Sequence, residues 1–421
     1  MVKLDVTELL KKLVSINTVN GNEQQVILYL ENLFTQAGFE TQMVHLAEGR
    51  SSLVAELDSG VAGPVLAFEG HADVVDPGNL DEWDTNPFEP VIKGDQLFGR
   101  GANDMKSGLA AIVSALINFK SSEQRFIGKI RLLVTAAEET GELGAHQLAK
   151  LGYVDDVTSI VVCESSGVAI NKLDDYLDSG AILFDETTKK QLRENAKTKG
   201  PYEQHFILHA HKGWVIYTIT AHGKSAHSAT PQFGTNAIEL LIKYQLQERN
   251  FFDSLTTSNL ILGKTVYAPT IISGGKQINS IPDEAQLKVK VRTIPEVSNK
   301  FIIDSLNKLI ADINTSNEGT ITAEYKTEYP VVSDKSSEII QIAQKAGKKY
   351  LPKEAIFPAV GGSGGTDACE LFHANPKLNV AVLGPGNTSS HRVNEYVNLN
   401  SVKAFVNIYT AIINDYLKSN I

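Results

Sequence analysis

The sequence predicts an α/β protein with a central mixed sheet flanked by helices and a smaller α+β sandwich inserted into it. Short apolar runs alternate with helical segments up to residue 163 and again after residue 330, a pattern typical of strands and helices that share one sheet. Between these parts the order becomes strand–helix–strand–strand–helix–strand, which indicates the sandwich. Because 421 residues exceed one typical core, we expect one domain at 1–211 and 327–421 and a second at 212–326.

The elements of the larger domain follow from hydrophobic periodicity. Apolar residues at helical spacing predict helices, and short apolar runs bounded by turn residues predict strands. The predicted helices are 4–17, 22–37, 105–119, 336–349 and 400–418, and the predicted strands are 42–46, 52–57, 64–69, 129–136, 160–163 and 378–383.

The inserted domain and the stretch before it differ in character. The domain has predicted strands at 214–223, 285–294 and 319–329 and predicted helices at 236–250 and 299–313. The charged stretch 168–210 has no strong period beyond a helix at 186–197. We therefore expect 168–210 to be a surface insertion.

Composition excludes several classes of protein. The net charge of −10 argues against a nucleic acid or an anionic membrane as partner. No apolar run approaches the ~18 residues of a membrane span, and the N-terminus lacks the apolar core of a signal peptide, so we expect a cytoplasmic protein. Two cysteines, Cys163 and Cys369, provide neither a disulfide framework nor a cysteine-rich zinc site.

Acidic residues and histidines stand at the ends of the predicted strands or in nearby loops. They are His71, Asp73, Asp104, Glu138, Glu139, Glu164 and His391. Each alone has a plain structural explanation, such as a helix N-cap for Asp104. Together they occupy the edge of the sheet where α/β proteins bind ligands. Two histidines and several carboxylates, without cysteine, suit zinc, cobalt or manganese.

The adjacent glutamates Glu138 and Glu139 can have different roles. Glu139 can reach a metal while Glu138 points toward water. A divalent ion lowers the pKa of bound water from 15.7 toward ~7, and a neighbouring carboxylate can take the proton and return it to a leaving amine. Two such ions, three ligand carboxylates and one hydroxide sum to zero charge, which a partly buried site tolerates.

Several longer motifs carry a family resemblance. They are FEGHADVV, WDTNPFEP, LFGRGANDMKSG, AAEETGELGA, GKSAHSATP, GGKQINSIPDEA, GGTDA and GPGNTSSHRVNEYV. In this order, over nearly the whole chain, they resemble the dizinc amidohydrolase and metallopeptidase family of acetylornithine deacetylase and succinyl-diaminopimelate desuccinylase. The resemblance implies a zinc-peptidase-like catalytic domain and a lid and dimerisation domain at 212–326.

The resemblance also implies roles for the polar residues at the strand ends. His71 and Glu164 would bind one zinc, Glu139 and His391 the other, and Asp104 would bridge the two, with Co²⁺ or Mn²⁺ as substitutes. Asp73 would support His71, and Glu138 would be the general base and later the acid. The family's cis peptide after the bridging aspartate would fall at Asp104–Met105.

Four further positions match residues that bind substrate in the family. His227 matches a histidine that reaches into the partner subunit's site of a homodimer and polarises the scissile carbonyl. Asn279 and Arg292 match lid residues that bind the carboxylate end of the substrate, a task that suits the fork of arginine. Gly365 and Thr366 resemble a backbone cradle for the same carboxylate. Without the resemblance, an exposed loop histidine and a solvent-facing arginine are the plainer interpretations.

The expected reaction is hydrolysis of the amide of an N-acyl amino acid, with N-succinyl-LL-2,6-diaminopimelate as the favoured substrate and lysine biosynthesis as the setting. A deacetylase acting on N-acetylornithine, another aminoacylase, or a dipeptidase or carboxypeptidase remains an alternative, as does a non-catalytic binding relative. The chain departs from the family in having Ser165 after Glu164, where many relatives have proline. It also departs in the length of 168–210, which either borders the cleft or hinge or is a tolerated surface insertion.

Overall fold

A computed structural model describes residues 4–180, 182–316, 318–354 and 356–418 of the protein. The chain forms two compact units. Unit 1 comprises 1–210, 333–361 and 366–421, and unit 2 comprises 211–332 and 362–365.

The helices of the described residues agree closely with the predicted ones. In chain order they are α1 (Val6–Val14), α2 (Glu23–Ala37), α3 (Lys106–Ser121), α4 (Leu143–Lys150), α5 (Leu173–Asp178), α6 (Glu186–Lys199), α7 (Ala237–Ser254), α8 (Asn299–Ser316), α9 (Glu338–Tyr350), α10 (Ala368–Ala374) and α11 (Leu399–Tyr416). Every helix predicted from periodicity is present. The short helices α4, α5 and α10 were not predicted, because fewer than three turns carry little periodicity.

The strands include each predicted one and several additions, most of them short, although the nine-residue strand at 266–274 also had no predicted range. In chain order they are β1 (Glu40–Ala47), β2 (Arg50–Asp58), β3 (Val65–His71), β4 (Val91–Lys93), β5 (Gln96–Phe98), β6 (Lys129–Thr135), β7 (Ser159–Val162), β8 (Gly167–Ala169), β9 (Glu203–His205), β10 (Ile207–His211), β11 (Gly213–His222), β12 (Ala226–His227), β13 (Ser258–Asn259), β14 (Gly263–Lys264), β15 (Val266–Gly274), β16 (Ser280–Ile281), β17 (Glu284–Thr293), β18 (Thr320–Glu328), β19 (Val331–Val332), β20 (Ala359–Gly362), β21 (Asn379–Val382) and β22 (Tyr396–Asn398).

The sheet of unit 1 is mixed, as predicted. Seven of its strands run in the order β1-β2-β6-β3-β7-β21-β10, and β20 also pairs with β10. The four central strands, β6, β3, β7 and β21, are parallel to one another, whereas β1, β2 and β10 pair antiparallel with their neighbours. The carboxyl ends of the four parallel strands therefore lie at one edge of the sheet.

One apolar core joins this sheet to the helices of unit 1. Buried side chains of β2, β3 and β6 pack with those of α1, α2, α3, α9 and α11. Helix α3 is buried over most of its length, which explains why its sequence is apolar on all sides rather than amphipathic. Gly108 of α3 lies against the backbone of Cys163, and a Cβ at Gly108 would overlap the Cys163 carbonyl oxygen.

The stretch 168–210 is a folded part of unit 1. Strands β8 and β9 pair antiparallel. The chain that connects them forms helices α5 and α6. An apolar cluster holds this hairpin together, formed by Val168, Leu173, Leu177, Ile182, Leu192, Phe206 and Val360. The prediction of a surface insertion is wrong for 203–207, which are buried, because β9 and β10 run through the interior of the unit.

Unit 2 contains a four-stranded antiparallel sheet in the order β15-β17-β11-β18. Burial alternates along β17 and β11, so one face of the sheet is buried, and α7 and α8 pack on this face. This is expected for an antiparallel sheet that is covered on one side. The predicted boundary at residue 326 falls inside β18, which pairs with β11 from Thr320 to Glu328. Strand β15 forms an edge of the sheet, and most of its residues are exposed.

Candidate active site

The parallel strands of unit 1 carry the predicted metal ligands at one edge of the sheet. His71 is the last residue of β3, Glu138 and Glu139 lie in the turn after β6, and Glu164 follows β7 by two residues. His391 lies in the loop that follows β21. Since neighbouring parallel strands end together, the fold brings side chains from distant parts of the sequence to one place.

Two groups of ligand atoms form at this edge and share Asp104. In the first, His71 Nε2 lies 3.2 Å from Asp104 Oδ1 and 3.0 Å from Glu164 Oε1. In the second, His391 Nε2 lies 3.3 Å from Asp104 Oδ2 and 3.1 Å from Glu139 Oε1. Within each group the ligand atoms lie within 4.8 Å of one another. The two oxygens of Asp104 thus approach two different histidines, the geometry of a bridging carboxylate.

The donor set fits divalent metal ions. It contains imidazole nitrogens and carboxylate oxygens without a thiolate, which suits zinc, cobalt or manganese. Burial opposes charge on His71, yet the charge of Glu164 and the hydrogen bond to Asp104 raise its pKa well above the usual value. Hydrogen bonds to Asp104 and Glu139 raise the pKa of His391 to about 10. The carboxylates therefore favour positive charge at both positions.

Asp73 supports the site through two sets of contacts. Nδ1 of His71 lies 3.0 Å from the backbone oxygen of Asp73 and 3.5 Å from its carboxylate. The predicted pairing of His71 with Asp73 is thus mainly through the carbonyl. The carboxylate accepts hydrogen bonds from the backbone N–H groups of Glu138 and Glu139, both at 3.1 Å. Asp73 therefore holds the turn that carries both glutamates, a role that residue spacing did not reveal.

Glu138 lies beside the ligands. One of its carboxylate oxygens lies within 4.8 Å of ligand atoms of His71 and Glu139. Burial raises the pKa of Glu138 well above its usual value. The charge on Glu139 also raises this pKa, whereas His71 lowers it. A carboxyl group with a raised pKa at this position is suited to accept and release a proton.

Asp104 is fixed by residues that sequence reasoning missed. The alternative of a helix N-cap is wrong, because α3 begins at Lys106 without a side-chain cap. Glu395 Oε1 instead accepts hydrogen bonds from the backbone N–H groups of Asn103 at 2.8 Å and Asp104 at 3.0 Å. Glu395 Oε2 is paired with the guanidinium of Arg100, and both side chains are buried. The bond Asp104–Met105 is cis, as the resemblance implied.

The predicted substrate-binding residues other than Thr366 belong to unit 2. His227 in β12 pairs with Ser280 of β16, and the carbonyl of Asn279 accepts a hydrogen bond from Ser228 at 2.9 Å. The structure therefore brings His227 and Asn279 together. Arg292 lies on β17 between Trp214 of β11 and Val266 of β15.

Gly365 and Thr366 lie where unit 2 gives way to unit 1. A Cβ at Gly365 would meet the carboxylate of Glu328 at 2.5 Å, so a larger residue there would require the Glu328 side chain to move. Thr366 lies just before α10, where its hydroxyl accepts the N–H of Ala368 at 3.3 Å.

The fold and the gathered ligands define the class of metal-dependent hydrolases. Residues 67–415 match the sequence profile described as Peptidase family M20/M25/M40, and the chain belongs to this family. No helix among the described residues has the length and apolar character needed to cross a membrane.

Curated relatives are similar over nearly the full length. A probable succinyl-diaminopimelate desuccinylase of Staphylococcus aureus (strain MRSA252) is 33% identical over 438 residues, which cover 98% of this chain and 97% of the relative. A succinyl-diaminopimelate desuccinylase of Wolbachia pipientis wMel is 27% identical over 428 residues, which cover 98% of this chain and 94% of the relative.

Solved structures share the fold. A metallo-carboxypeptidase of the M20 family from Sulfolobus solfataricus superposes with a TM-score of 0.76 at 16% identity and covers 98% of this chain and 99% of its own. A tripeptidase from Staphylococcus aureus superposes with a TM-score of 0.74 at 19% identity and covers 98% of both chains. At these identities the likeness confirms the fold class predicted from the sequence.

Proposed function

We propose that the chain hydrolyses the amide bond of N-succinyl-LL-2,6-diaminopimelate to succinate and LL-diaminopimelate. The observation that carries the substrate assignment is the 33% identity, over 98% of this chain, to a protein named probable succinyl-diaminopimelate desuccinylase. Support for the reaction type comes from unit 1, where the ligand groups and Glu138 lie at one edge of the sheet.

Two zinc ions per chain would account for the arrangement of the ligands. His71, Asp104 and Glu164 would hold one ion, and Asp104, Glu139 and His391 the other. When bound, such ions polarise a carbonyl oxygen and increase the acidity of a coordinated water. The two Asp104 oxygens lie close to two different histidines, which favours two ions over one.

Glu138 moves the proton in the proposed mechanism. Its carboxylate takes a proton from the attacking water, whose oxygen forms a bond to the amide carbon. The same carboxyl group then donates this proton to the amide nitrogen as the carbon–nitrogen bond breaks. Succinate leaves with the new oxygen, and the amine of LL-diaminopimelate leaves with the proton. Asp73 keeps Glu138 in place through the backbone of the turn.

Unit 2 would supply the contacts that orient the substrate. Arg292 and Asn279 would bind a carboxylate of the substrate together with the backbone at Gly365 and Thr366. His227 would polarise the scissile carbonyl from the partner subunit of a homodimer. His227 is exposed, and its Nδ1 accepts the N–H of Ala229 at 3.0 Å, so Nε2 remains to donate a hydrogen bond to an oxygen.

The homodimer would form through unit 2. Strand β15 is an exposed edge on which Ile271 is 56% exposed and Ile272 is 66% exposed. On α7, Ile242 and Leu246 are also exposed. An apolar edge strand that remained open could pair non-specifically with other chains, and a second copy would cover it.

The cytoplasmic location expected from the sequence remains part of the proposal, and fractionation of cells that express the full chain tests it.

A substrate panel tests the proposed function. Purified, zinc-loaded protein is incubated with N-succinyl-LL-diaminopimelate, N-acetylornithine, other N-acyl amino acids and dipeptides, each with and without a chelator. We expect chelator-sensitive hydrolysis concentrated on the succinyl substrate. Hydrolysis concentrated on another substrate would overturn the substrate assignment and retain the mechanism. Hydrolysis that resists full removal of metal would overturn the mechanism.

A further inference from the structure

The end of the stretch 168–210 is hydrogen-bonded to the loop that carries the proposed ligand His391. Glu203, in β9, is 5% exposed. Its Oε1 accepts a hydrogen bond from the side-chain amide of Asn387 at 3.0 Å. The second proton of this amide is directed to the carbonyl of Tyr396 at 3.2 Å. The side chain of Asn387 is therefore fixed from two sides, and Glu203 supplies the shorter contact.

Asn387 in turn is bound to Asn103. The backbone N–H of Asn387 donates to Asn103 Oδ1 at 2.6 Å, and the Asn103 amide donates back to the carbonyl of Asn387 at 3.1 Å. The Asn103 amide also donates to Ser390 Oγ at 2.6 Å. Asn103 directly precedes Asp104, and Ser390 directly precedes His391. These hydrogen bonds hold the loops of Asp104 and His391 at a fixed separation.

We infer that Glu203 is a positioning residue for the metal site, through which the stretch 168–210 sets the geometry of Asp104 and His391. The contacts run from Glu203 to Asn387 and from Asn387 to Asn103, with no solvent-exposed side chain among them. The stretch thus contributes to metal binding without supplying a ligand. The inference rests on the proposed metal site.

A second carboxylate in the same region makes a matched control. Glu354 Oε2 accepts the backbone N–H of His205 at 2.6 Å, and Glu354 Oε1 lies 2.8 Å from Nδ1 of the same histidine. Glu354 is 5% exposed, as is Glu203. Glu354 anchors β9 to the rest of unit 1, and its side-chain hydrogen bonds within the described part of the chain go to Gln204 and His205 rather than to either loop that carries a proposed ligand.

The test compares zinc affinity and thermal stability in variants of the full chain. Zinc dissociation constants are measured by competition with a chelating dye, without substrate, and unfolding temperatures are measured on the same samples. We expect Glu203→Ala to weaken zinc binding by about tenfold, the lower end of the range for groups that support metal ligands. Glu203→Gln retains an oxygen acceptor for Asn387 and should restore the affinity. Glu354→Gln should lower the unfolding temperature and leave zinc affinity unchanged.

Asn387→Ala removes the same hydrogen bond from the other side. Asn387→Ala also removes the side-chain contacts with Tyr396 and Ser389, so it should weaken zinc binding at least as much as Glu203→Ala does. The double variant should bind zinc no more weakly than Asn387→Ala alone, because the hydrogen bond to Glu203 is already lost in Asn387→Ala. Asn387→Ala also carries the test if Glu203→Ala does not fold.

Three results would overturn the inference. Wild-type zinc affinity in both Glu203→Ala and Asn387→Ala would show that these hydrogen bonds do not position the ligands. An equal loss of affinity in Glu354→Gln would assign the effect to general loosening of β9. Failure of the wild-type chain to bind zinc, which is measured first, would instead overturn the proposed metal site and the inference with it.

Discussion

At the scale of single residues, the position of the Asp104 carboxylate between two histidines depends on several hydrogen bonds. Its oxygens point to His71 and His391, and its backbone N–H is held by Glu395. Burial would raise the pKa of Asp104, but hydrogen bonds from His391 and His71 lower it below the usual range. The carboxylate therefore stays ionised and remains available to bind metal.

Replacement of Glu138 by Gln tests proton transfer. The variant keeps all five proposed ligands but loses the group that accepts the proton, so we expect unchanged zinc content and a decrease in kcat of about 10²–10⁴-fold. Zinc content is measured by elemental analysis and kcat on the preferred substrate. Glu8→Gln, at an exposed position on α1, is the matched control and should behave as wild type. Wild-type turnover in Glu138→Gln would refute the assignment.

The buried pair of Arg100 and Glu395 offers a second test. Glu395→Gln keeps a carbonyl acceptor for the N–H groups of Asn103 and Asp104 but leaves the buried Arg100 without a counter-charge. Removal of one member of a buried pair costs about 3–5 kcal/mol, so we expect a marked decrease in the unfolding temperature. The double variant Arg100→Met/Glu395→Gln should recover part of this loss. A double variant no more stable than Glu395→Gln alone would contradict the ion-pair interpretation.

At the scale of elements, the sequence predicted the strands that carry the ligands but not the polar contacts that hold the loops. The apolar runs at β3, β6, β7 and β21 stand out because buried parallel strands are continuously apolar. The contact of Glu395 with Asp104 joins residues 291 positions apart, and that of Glu203 with Asn387 joins residues 184 apart. Such pairs leave no local period, so sequence patterns cannot reveal them.

The buried end of the stretch 168–210 was missed for a related reason. Glu203, Gln204 and His205 are polar and read as surface residues, yet all three are buried. Glu354 and Asn387 satisfy their polar groups from distant parts of the chain. Burial of polar residues depends on such partners, which only the folded unit brings together.

Gly108 in α3 gives a test of packing between a helix and a strand end. Alanine normally favours a helix over glycine by about 1 kcal/mol, but a Cβ at Gly108 would overlap the carbonyl oxygen of Cys163. We expect Gly108→Ala to lower the unfolding temperature. Ser121→Ala, at the exposed end of the same helix, gains helix propensity and loses only the exposed hydrogen bond from its hydroxyl to the Ile117 carbonyl, so it should not lower the unfolding temperature. An increase in stability for Gly108→Ala would show that α3 is less tightly packed than described.

At the scale of the whole molecule, the chain divides into two compact units, and unit 2 interrupts the sequence of unit 1. The proposed ligands and Glu138 belong to unit 1, while His227, Asn279 and Arg292 belong to unit 2. The change of element order along the sequence predicts a second domain at 212–326. In the proposed function, unit 1 would carry out the chemistry and unit 2 would orient the substrate.

The proposed dimer is tested on the open edge of unit 2. Ile272→Lys places a charge on β15, where burial against a second copy would be costly. We expect the molar mass, measured by light scattering coupled to size-exclusion chromatography, to decrease from that of a dimer to that of a monomer. Turnover should also be lost if His227 acts across the interface. Leu151→Lys changes a residue of unit 1 that is 58% exposed and serves as control. An Ile272→Lys variant that remains dimeric would exclude β15 from the interface.

In the proposed mechanism, five residues of unit 1 would hold two catalytic metal ions, and Asp104 would contribute to both sites. The most direct measurement is a zinc titration of the chelator-stripped protein, with bound zinc and hydrolysis of N-succinyl-LL-diaminopimelate followed in the same samples. We expect no activity without zinc, binding that saturates at two equivalents per chain, and full activity once both are bound. Binding that saturates at one equivalent with full activity, or activity that persists without zinc, would contradict the proposed mechanism.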